Sequence, residues 1–362
     1  MRTPRTPRSP RPGRPHARTR AAAAALAALT ALSLSACRDS RGTSGGSGGS
    51  GGTVKIMVGG IDKVIYLPAK LTERLGYFKE QGLTVQLLTE PAGAQAENVL
   101  ISGDVQAVVG FYDHTIDLQT KGKCVQSVVQ MADVPGEAEM VAAGKAGRIG
   151  SPAAFKGARL GVTSPGSSTD FITRALAVRN GVKTSDYTTV KAGAGPTFIS
   201  SLDNGGIDAG MTTDPTIAKL TATGKAKVMV EMRTVEGTRA ALGGLYPSSS
   251  LYMDCAYVDA NAGTVGKLAA AFVKTLGWIK AHKPAEIAAQ MPADYAGGDP
   301  KLYEKAVSDS ISMFNGDGVM PAEGAANVLE VLAQFSPNVQ GKKDQIDLSK
   351  TYTTRFVTKT GQ

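Results

Sequence analysis

Apolar positions along this chain recur at two spacings, and the spacings alternate. VKIMVGG (54–60), LTVQLLTE (83–90), DVQAVVGF (104–111) and CVQSVVQM (124–131) are short apolar-rich runs of strand length. Between them lie helical stretches. In YLPAKLTERLGYFKEQG (66–82), Leu67, Leu71, Leu75 and Phe78 share one helical stripe, and a glycine ends the run. GAQAENVLISG (93–103) and DHTIDLQTKG (113–122) read as the next two helices. After a loop with a short helical turn at 144–157, the alternation starts again. ARLGVTS, YTTVKA, IDAGMTT and AKVMVEM read as strands, separated by helices over 168–180, 196–205 and 215–224. SSLYMDCAYVDA (249–260) reads as a strand returning to the first set. From about Thr264 the pattern turns helical, with Leu268, Phe272, Leu276 and Ile279 on one stripe, followed by helices near 303–314 and 322–335. Strand–helix alternation predicts an α/β fold of two lobes, each a mostly parallel sheet flanked by helices. The expected boundaries are 53–148 with 249–362 for one lobe and 149–248 for the other. Ligands in such sheets sit at strand C-terminal ends and helix N-termini, here in the cleft between lobes.

The ends change how the charge is read. Residues 1–20 hold seven arginines and no acid, and AAAAALAALTALSLSA (21–36) is a 16-residue apolar run. It is too short to span a bilayer comfortably and has the flanks of a secretory signal. No Arg-Arg pair occurs in this leader, so a Sec-type signal is expected. The run ends in LSAC, and small residues followed at once by Cys37 resemble the lipobox of bacterial lipoproteins. That resemblance makes Cys37 the lipidated N-terminus. RDSRGTSGGSGGSGG (38–52) is then a flexible tether with a reach of roughly 20 Å. The full chain carries 40 basic and 31 acidic residues; without the seven leader arginines the balance is 33 to 31. The basic character therefore belongs to targeting. With no Lys/Arg run interleaved with aromatics in the body, no nucleic-acid partner is expected.

Two further cysteines, Cys124 and Cys255, are an even pair in an exported chain. A disulfide and two buried free thiols in strands are both open. No cysteine or histidine spacing suits a metal, the body has only His114 and His282, and no phosphate loop or nucleophile elbow occurs. No cofactor and no catalytic residue are expected.

Several segments in order carry a family resemblance: TEPAG (89–93), SGDVQAVVGFYDH (102–114), FKGARLGVTSPGSSTDFITRAL (155–176), NGGIDAGMTTDP (204–215) and FNGDGVMPAEGAANVLEVL (314–332). Together they resemble the substrate-binding proteins of ABC importers, in the nitrate/sulfonate/taurine and thiamine-precursor-binding group. The resemblance implies a type II periplasmic-binding-protein fold that closes like a flytrap. It implies a monomer without catalytic activity, tethered by lipid to the outer face of the cell membrane, delivering a small, anionic or sulfonate-, nitrate- or taurine-like solute to a permease and its ATPase. The alternative is a binder of the thiamine pyrimidine precursor, or a pyrimidine-synthase-like enzyme on the same scaffold. Many sulfonate binders carry tryptophan just before the Asp-Pro; this chain has Thr213, and its one tryptophan, Trp278, lies in a C-terminal helix.

The candidate site follows from strand ends and helix starts. Gly166, Ser167, Ser168 and Thr169 stand where the first turn of a helix offers unpaired N–H groups and the positive end of its dipole. Ser167 and Asp170 also have capping-box spacing. Tyr112 and Asp113 end a strand; Asp113 is a candidate either for a ligand amine or for a helix cap. Ala92 and Gly93 follow Pro91 and present backbone amides. Thr213 and Asp214 precede Pro215, which also suits a cap with proline in the first turn. Asp62 follows the first strand, beside Lys63, which is a candidate anion partner or simply a solvated loop residue.

Overall fold

The computed structural model describes residues 52–358, which belong to one compact unit. The leader, Cys37 and tether residues 38–51 lie outside the described residues.

The first lobe begins with β1 (Val54–Val58), whose Ile56, Met57 and Val58 are buried as in a strand covered on both faces. The expected single helix over 66–82 is two: α1 (Leu67–Arg74) and α2 (Tyr77–Glu80). Gly76 separates them at φ +76°, a conformation that favours glycine. β2 (Val85–Thr89), α3 (Gly93–Ile101), β3 (Ala107–Phe111), α4 (Asp113–Thr120) and β4 (Val125–Gln130) follow.

The chain then crosses to the second lobe, earlier than residue 149. The reason is β5 (Glu137–Ala142), a strand absent from the sequence reading, which pairs antiparallel with two strands of the second sheet. That lobe continues with β6 (Arg159–Val162), α5 (Ser168–Arg179), β7 (Thr188–Lys191), α6 (Pro196–Asp203), β8 (Ala209–Thr213), α7 (Thr216–Ala222), β9 (Ala226–Met232) and α8 (Val235–Leu242). A second crossing leads back to β10 (Ser249–Asp254). This strand stops where the Asp254 carboxylate accepts from the Ala256 and Tyr257 N–H groups and caps α9 (Cys255–Ala260), so Cys255 is helical.

The two sheets share one plan: β2-β1-β3-β10-β4 and β7-β6-β8-β5-β9. Each has four parallel strands and one antiparallel strand next to its edge, β10 or β5, which the crossings supply. The crossings are joined, since the Met131 and Ala132 N–H groups donate to the Ser249 carbonyl and the Ser248 N–H donates to that of Ala132.

The C-terminal helices are α10 (Ala262–Ala281), α11 (Pro284–Gln290), α12 (Pro300–Ser310) and α13 (Ala322–Phe335). The expected stripe Leu268, Phe272, Leu276 and Ile279 is buried, and α10 lies on α1 and α2, with Phe272 edge-on to Phe78. Trp278 is half-buried and stacks on His282. α12 and α13 touch both lobes: Ser310 donates to Asp214, and Asn327 donates to the Leu245 carbonyl in the second crossing. The tail after 249 thus braces the second lobe as well as the first. No helix among the described residues is long and apolar enough to cross a membrane.

Cys124 and Cys255 form a disulfide across 131 positions, tying the start of β4 to α9 inside the first lobe. Replacing both with alanine should lower the stability of residues 53–362 by about 2–5 kcal/mol. Urea denaturation measures this as an earlier midpoint; an unchanged midpoint would mean the bond does not constrain the unfolded chain.

Candidate functional site

Strand order 2-1-3 places a crevice at the C-terminal ends of the central strands in each lobe. In the first lobe these ends are the turns after β1 and β3; in the second, those after β6 and β8. The four turns meet between the lobes around a cavity of about 10 Å³, room for roughly one water molecule. The lobes meet closely here, and the space between them is too small for a solute.

Five of the expected residues line it: Gly93, Ser167, Ser168, Thr169 and Thr213. Gly93 begins α3 against His114; a Cβ there would stand 2.8 Å from the imidazole Nε2, so the close approach requires glycine. Ala92 is buried beside the cavity as the residue before α3.

The serines do more than cap. The Ser167 side chain makes no cap hydrogen bond. Its Oγ accepts from the Ala94 N–H of the opposite lobe at 3.2 Å. Ser168 Oγ donates across the cleft to Asp113 Oδ1 at 2.8 Å, while Tyr246 donates to Oδ2 at 2.9 Å. Asp113 is fully buried; burial raises its pKa, opposed by His114, Ser168 and Tyr246. Thr169 accepts from the Thr163 N–H and pairs with its hydroxyl, fixing the loop after β6. Asp170 does not complete a capping box. Its carboxylate accepts from the Gly166 N–H and pairs with Arg174. Gly166 faces a separate open groove lined by Glu97, Asp117, Asp170 and Arg174.

Three expected residues stand elsewhere. Asp62 is exposed on its loop. Tyr112 is buried away from the cleft, with its hydroxyl 2.6 Å from Thr351 Oγ1 and its ring edge-on to Tyr352, so it anchors the C-terminal segment. Asp214 accepts from the Ala218 N–H, from Arg233 at 2.8 Å and from Ser310 at 2.8 Å, and is fully buried as a structural junction.

Two charged residues, Lys63 and Glu137, line the cavity where those three do not. Lys63 is buried, with its ammonium donating to the Gly59 and Pro91 carbonyls at 2.7 and 3.0 Å. Burial lowers its pKa to about 8, against the pull of Asp62 and Glu137. Glu137 opens β5 opposite Thr213. Burial pushes its carboxyl well above the usual range, helped by Asp113 and Glu139 and opposed by Lys63. Glu137 escaped the sequence reading, although the alternation Glu137-Ala138-Glu139-Met140 between glycines 136 and 144 is a strand signal. Ile65, Tyr66 and Phe111 complete the wall with apolar surface.

A family model described as "NMT1/THI5 like" matches residues 67–287, more than half of the chain and parts of both lobes. The chain belongs to the NMT1/THI5-like family. A solved structure of a Bordetella bronchiseptica RB50 protein is 33% identical, covering 85% of this chain and 96% of that one, with a TM-score of 0.81. Two other structures share the fold. The alkanesulfonate-binding protein SsuA of Xanthomonas axonopodis pv. citri, bound to MOPS, is 16% identical over 84% of this chain and 100% of its own, with a TM-score of 0.66. The nitrate-binding protein NrtA of Synechocystis PCC 6803 is 11% identical over 86% and 88%, with a TM-score of 0.66. The yeast 4-amino-5-hydroxymethyl-2-methylpyrimidine phosphate synthase THI13 is 28% identical over 146 residues, 40% of this chain and 42% of the enzyme. The chain thus matches less than half the length of that curated relative. The fold is the one that the two solute-binding proteins, SsuA and NrtA, share.

Ser168→Ala would leave the buried Asp113 with one donor fewer in the closed form. A loss of about 1–3 kcal/mol should shift the balance toward open lobes by about 5- to 150-fold. Small-angle scattering should show a larger radius of gyration with an unchanged circular dichroism spectrum; a curve identical to wild type would mean this bond does not hold the lobes.

Proposed function

We propose that this chain is the extracytoplasmic solute-binding lipoprotein of an ABC importer. Cys37 is the lipid site that holds it at the outer face of the cell membrane, and the Gly/Ser segment is its tether. One small organic solute binds between the lobes, and closure around it produces the form that the permease and its ATPase partner recognise. The observation that carries this reading is the meeting of both lobes on one small cavity through Ala94–Ser167 and Asp113–Ser168, in a family with a binding-protein fold.

The cavity chemistry favours a solute with acceptor oxygens. Ser167 and Thr213 supply hydroxyl donors, as does whichever of Thr163 and Thr169 accepts from the other, while the Ser168 proton is held by Asp113. Lys63 has three N–H donors with two carbonyl partners. The starts of α3 and α5 add amides and dipole. Such a set suits a sulfonate-, nitrate- or taurine-like anion. A second reading, a binder of the thiamine pyrimidine precursor, is favoured by the THI13 similarity and by Tyr66 and Phe111 in the wall, which suit a flat ring. Catalysis on this scaffold is the less favoured use.

A thermal-shift screen of residues 53–362 with taurine, alkanesulfonates, nitrate and pyrimidines tests the binding claim. A solute at 100 times its dissociation constant should add about 2.7 kcal/mol of stability; no shift with any of them would remove the reading. For the anchor, Cys37→Ala in a producing cell should release the protein from the membrane fraction into the soluble extracytoplasmic fraction. Unchanged membrane retention would contradict lipidation at that residue.

A further inference from the structure

Glu137 stands out because, of the two acids on one face of β5 with a buried carboxyl oxygen lacking a partner, Glu137 and Glu139, it is the one that lines the cavity. Among the acids around the cleft, Asp113 has Ser168 and Tyr246, Asp170 has Gly166 and Arg174, and Glu97 has His114. Asp214 has Ala218, Arg233 and Ser310. Glu137 is only 2% exposed and lines the cavity, yet its Oε2 has no hydrogen-bond partner among the described residues. The cation whose charge reaches it, Lys63, points two donors at backbone carbonyls and makes no ion pair with it. A buried carboxylate oxygen without a partner costs free energy and contributes nothing to packing that threonine or leucine would not.

Topology explains why the group is aimed inward. β5 runs antiparallel to β8 and β9, so its first residue lies level with Thr213, the last residue of β8. A strand parallel to them would put its C-terminal end at the cleft; this one puts its N-terminal end there. Alternation turns Ala138 and Met140 into the core on one face, leaving Glu137 and Glu139 on the other. Glu139, deeper along the strand, accepts from Thr173 of α5; Glu137, at the edge, meets the cavity.

We propose that the solute carries a protonated or strongly hydrogen-bond-donating nitrogen, and that Glu137 is the residue that selects for it. The inference rests on the solute-binding reading above. The solute is then two-ended. Its acceptor oxygens meet Lys63 and the hydroxyls of the α5 start, and its nitrogen meets Glu137 Oε2. Burial raises the Glu137 carboxyl despite the cation beside it and so favours its protonated form without solute. An ammonium against Oε2 favours the ionised form, and its binding therefore expels a proton.

Matched pairs test it by calorimetry on residues 53–362: taurine against ethanesulfonate, β-alanine against propionate, and 4-aminopyrimidine against pyrimidine. In at least one pair the nitrogen-bearing member should bind ten or more times tighter. Glu137→Gln, nearly isosteric, should bring that ratio close to one. Glu137→Asp, which keeps the charge but withdraws it, should give an intermediate ratio and serves if the glutamine variant fails to fold. Titrations in phosphate and in Tris should differ in heat by the released proton for the wild type only. Equal affinity within every pair, or a ratio unmoved by both substitutions, would overturn the role of Glu137 while leaving solute binding intact. Binding of none of the six would overturn both.

Discussion

The closed shape depends on the carboxylate of Asp113. It sits at the start of α4 in the first lobe, fully buried, and accepts from Ser168 at the start of α5 in the second lobe and from Tyr246 in the returning crossing. One side chain thus joins three parts of the chain: the start of α4, the start of α5 and the returning crossing. A buried acid with two donors is tolerable; one that loses a donor without gaining water is costly. On the proposed solute-binding role, opening would give Asp113 and the Ala94–Ser167 pair back to solvent and closing would restore both contacts.

The charges inside the cleft follow the same economy. Asp113 is held by two hydroxyls, while Lys63 gives two of its three N–H donors to carbonyls. The helices α3 and α5 turn their N-terminal ends toward this place, and the hydroxyl belt adds donors and acceptors that rotate to fit. What distinguishes this cleft from a generic oxyanion site is the acid at the start of β5. Its position results from a strand running against its neighbours, which the return path of the chain imposes on both sheets.

Much of the fold was legible in the amino-acid sequence because parallel strands buried on both faces read as apolar runs, and the helices between them keep a clean period. β1, β3, β8 and α10 are examples. β5 was not legible. Six residues containing two glutamates resemble a polar loop unless their alternation is noticed, and burial of both acids is decided by tertiary pairing with β8 and β9. The crossing point was misplaced for the same reason. The glycine at 76 reads as a tolerated interruption in a helix, whereas its left-handed backbone divides the segment. In the site, the loop before α5 was recognisable from its hydroxyls, but the partners were not, since Ala94 and Asp113 lie far away in sequence. Tyr112 reads as a ligand candidate and Asp214 as a candidate for a ligand or a helix cap; the Asp214 carboxylate does accept from the Ala218 N–H in the first turn of α7. Their actual partners, Thr351 and Arg233, come from segments whose approach no local pattern records.

The central claim is that a solute is held between the lobes by groups from both of them. A crystal structure of residues 53–362 grown with a solute that stabilises the protein tests it most directly. The account predicts density enclosed between Lys63, Glu137, Ser168 and Thr213, with the lobes further apart than in the present structure, where the cavity has room for about one water. Solute seated in the outer groove beside Asp117 and Arg174, with the inner cleft unchanged, would contradict it.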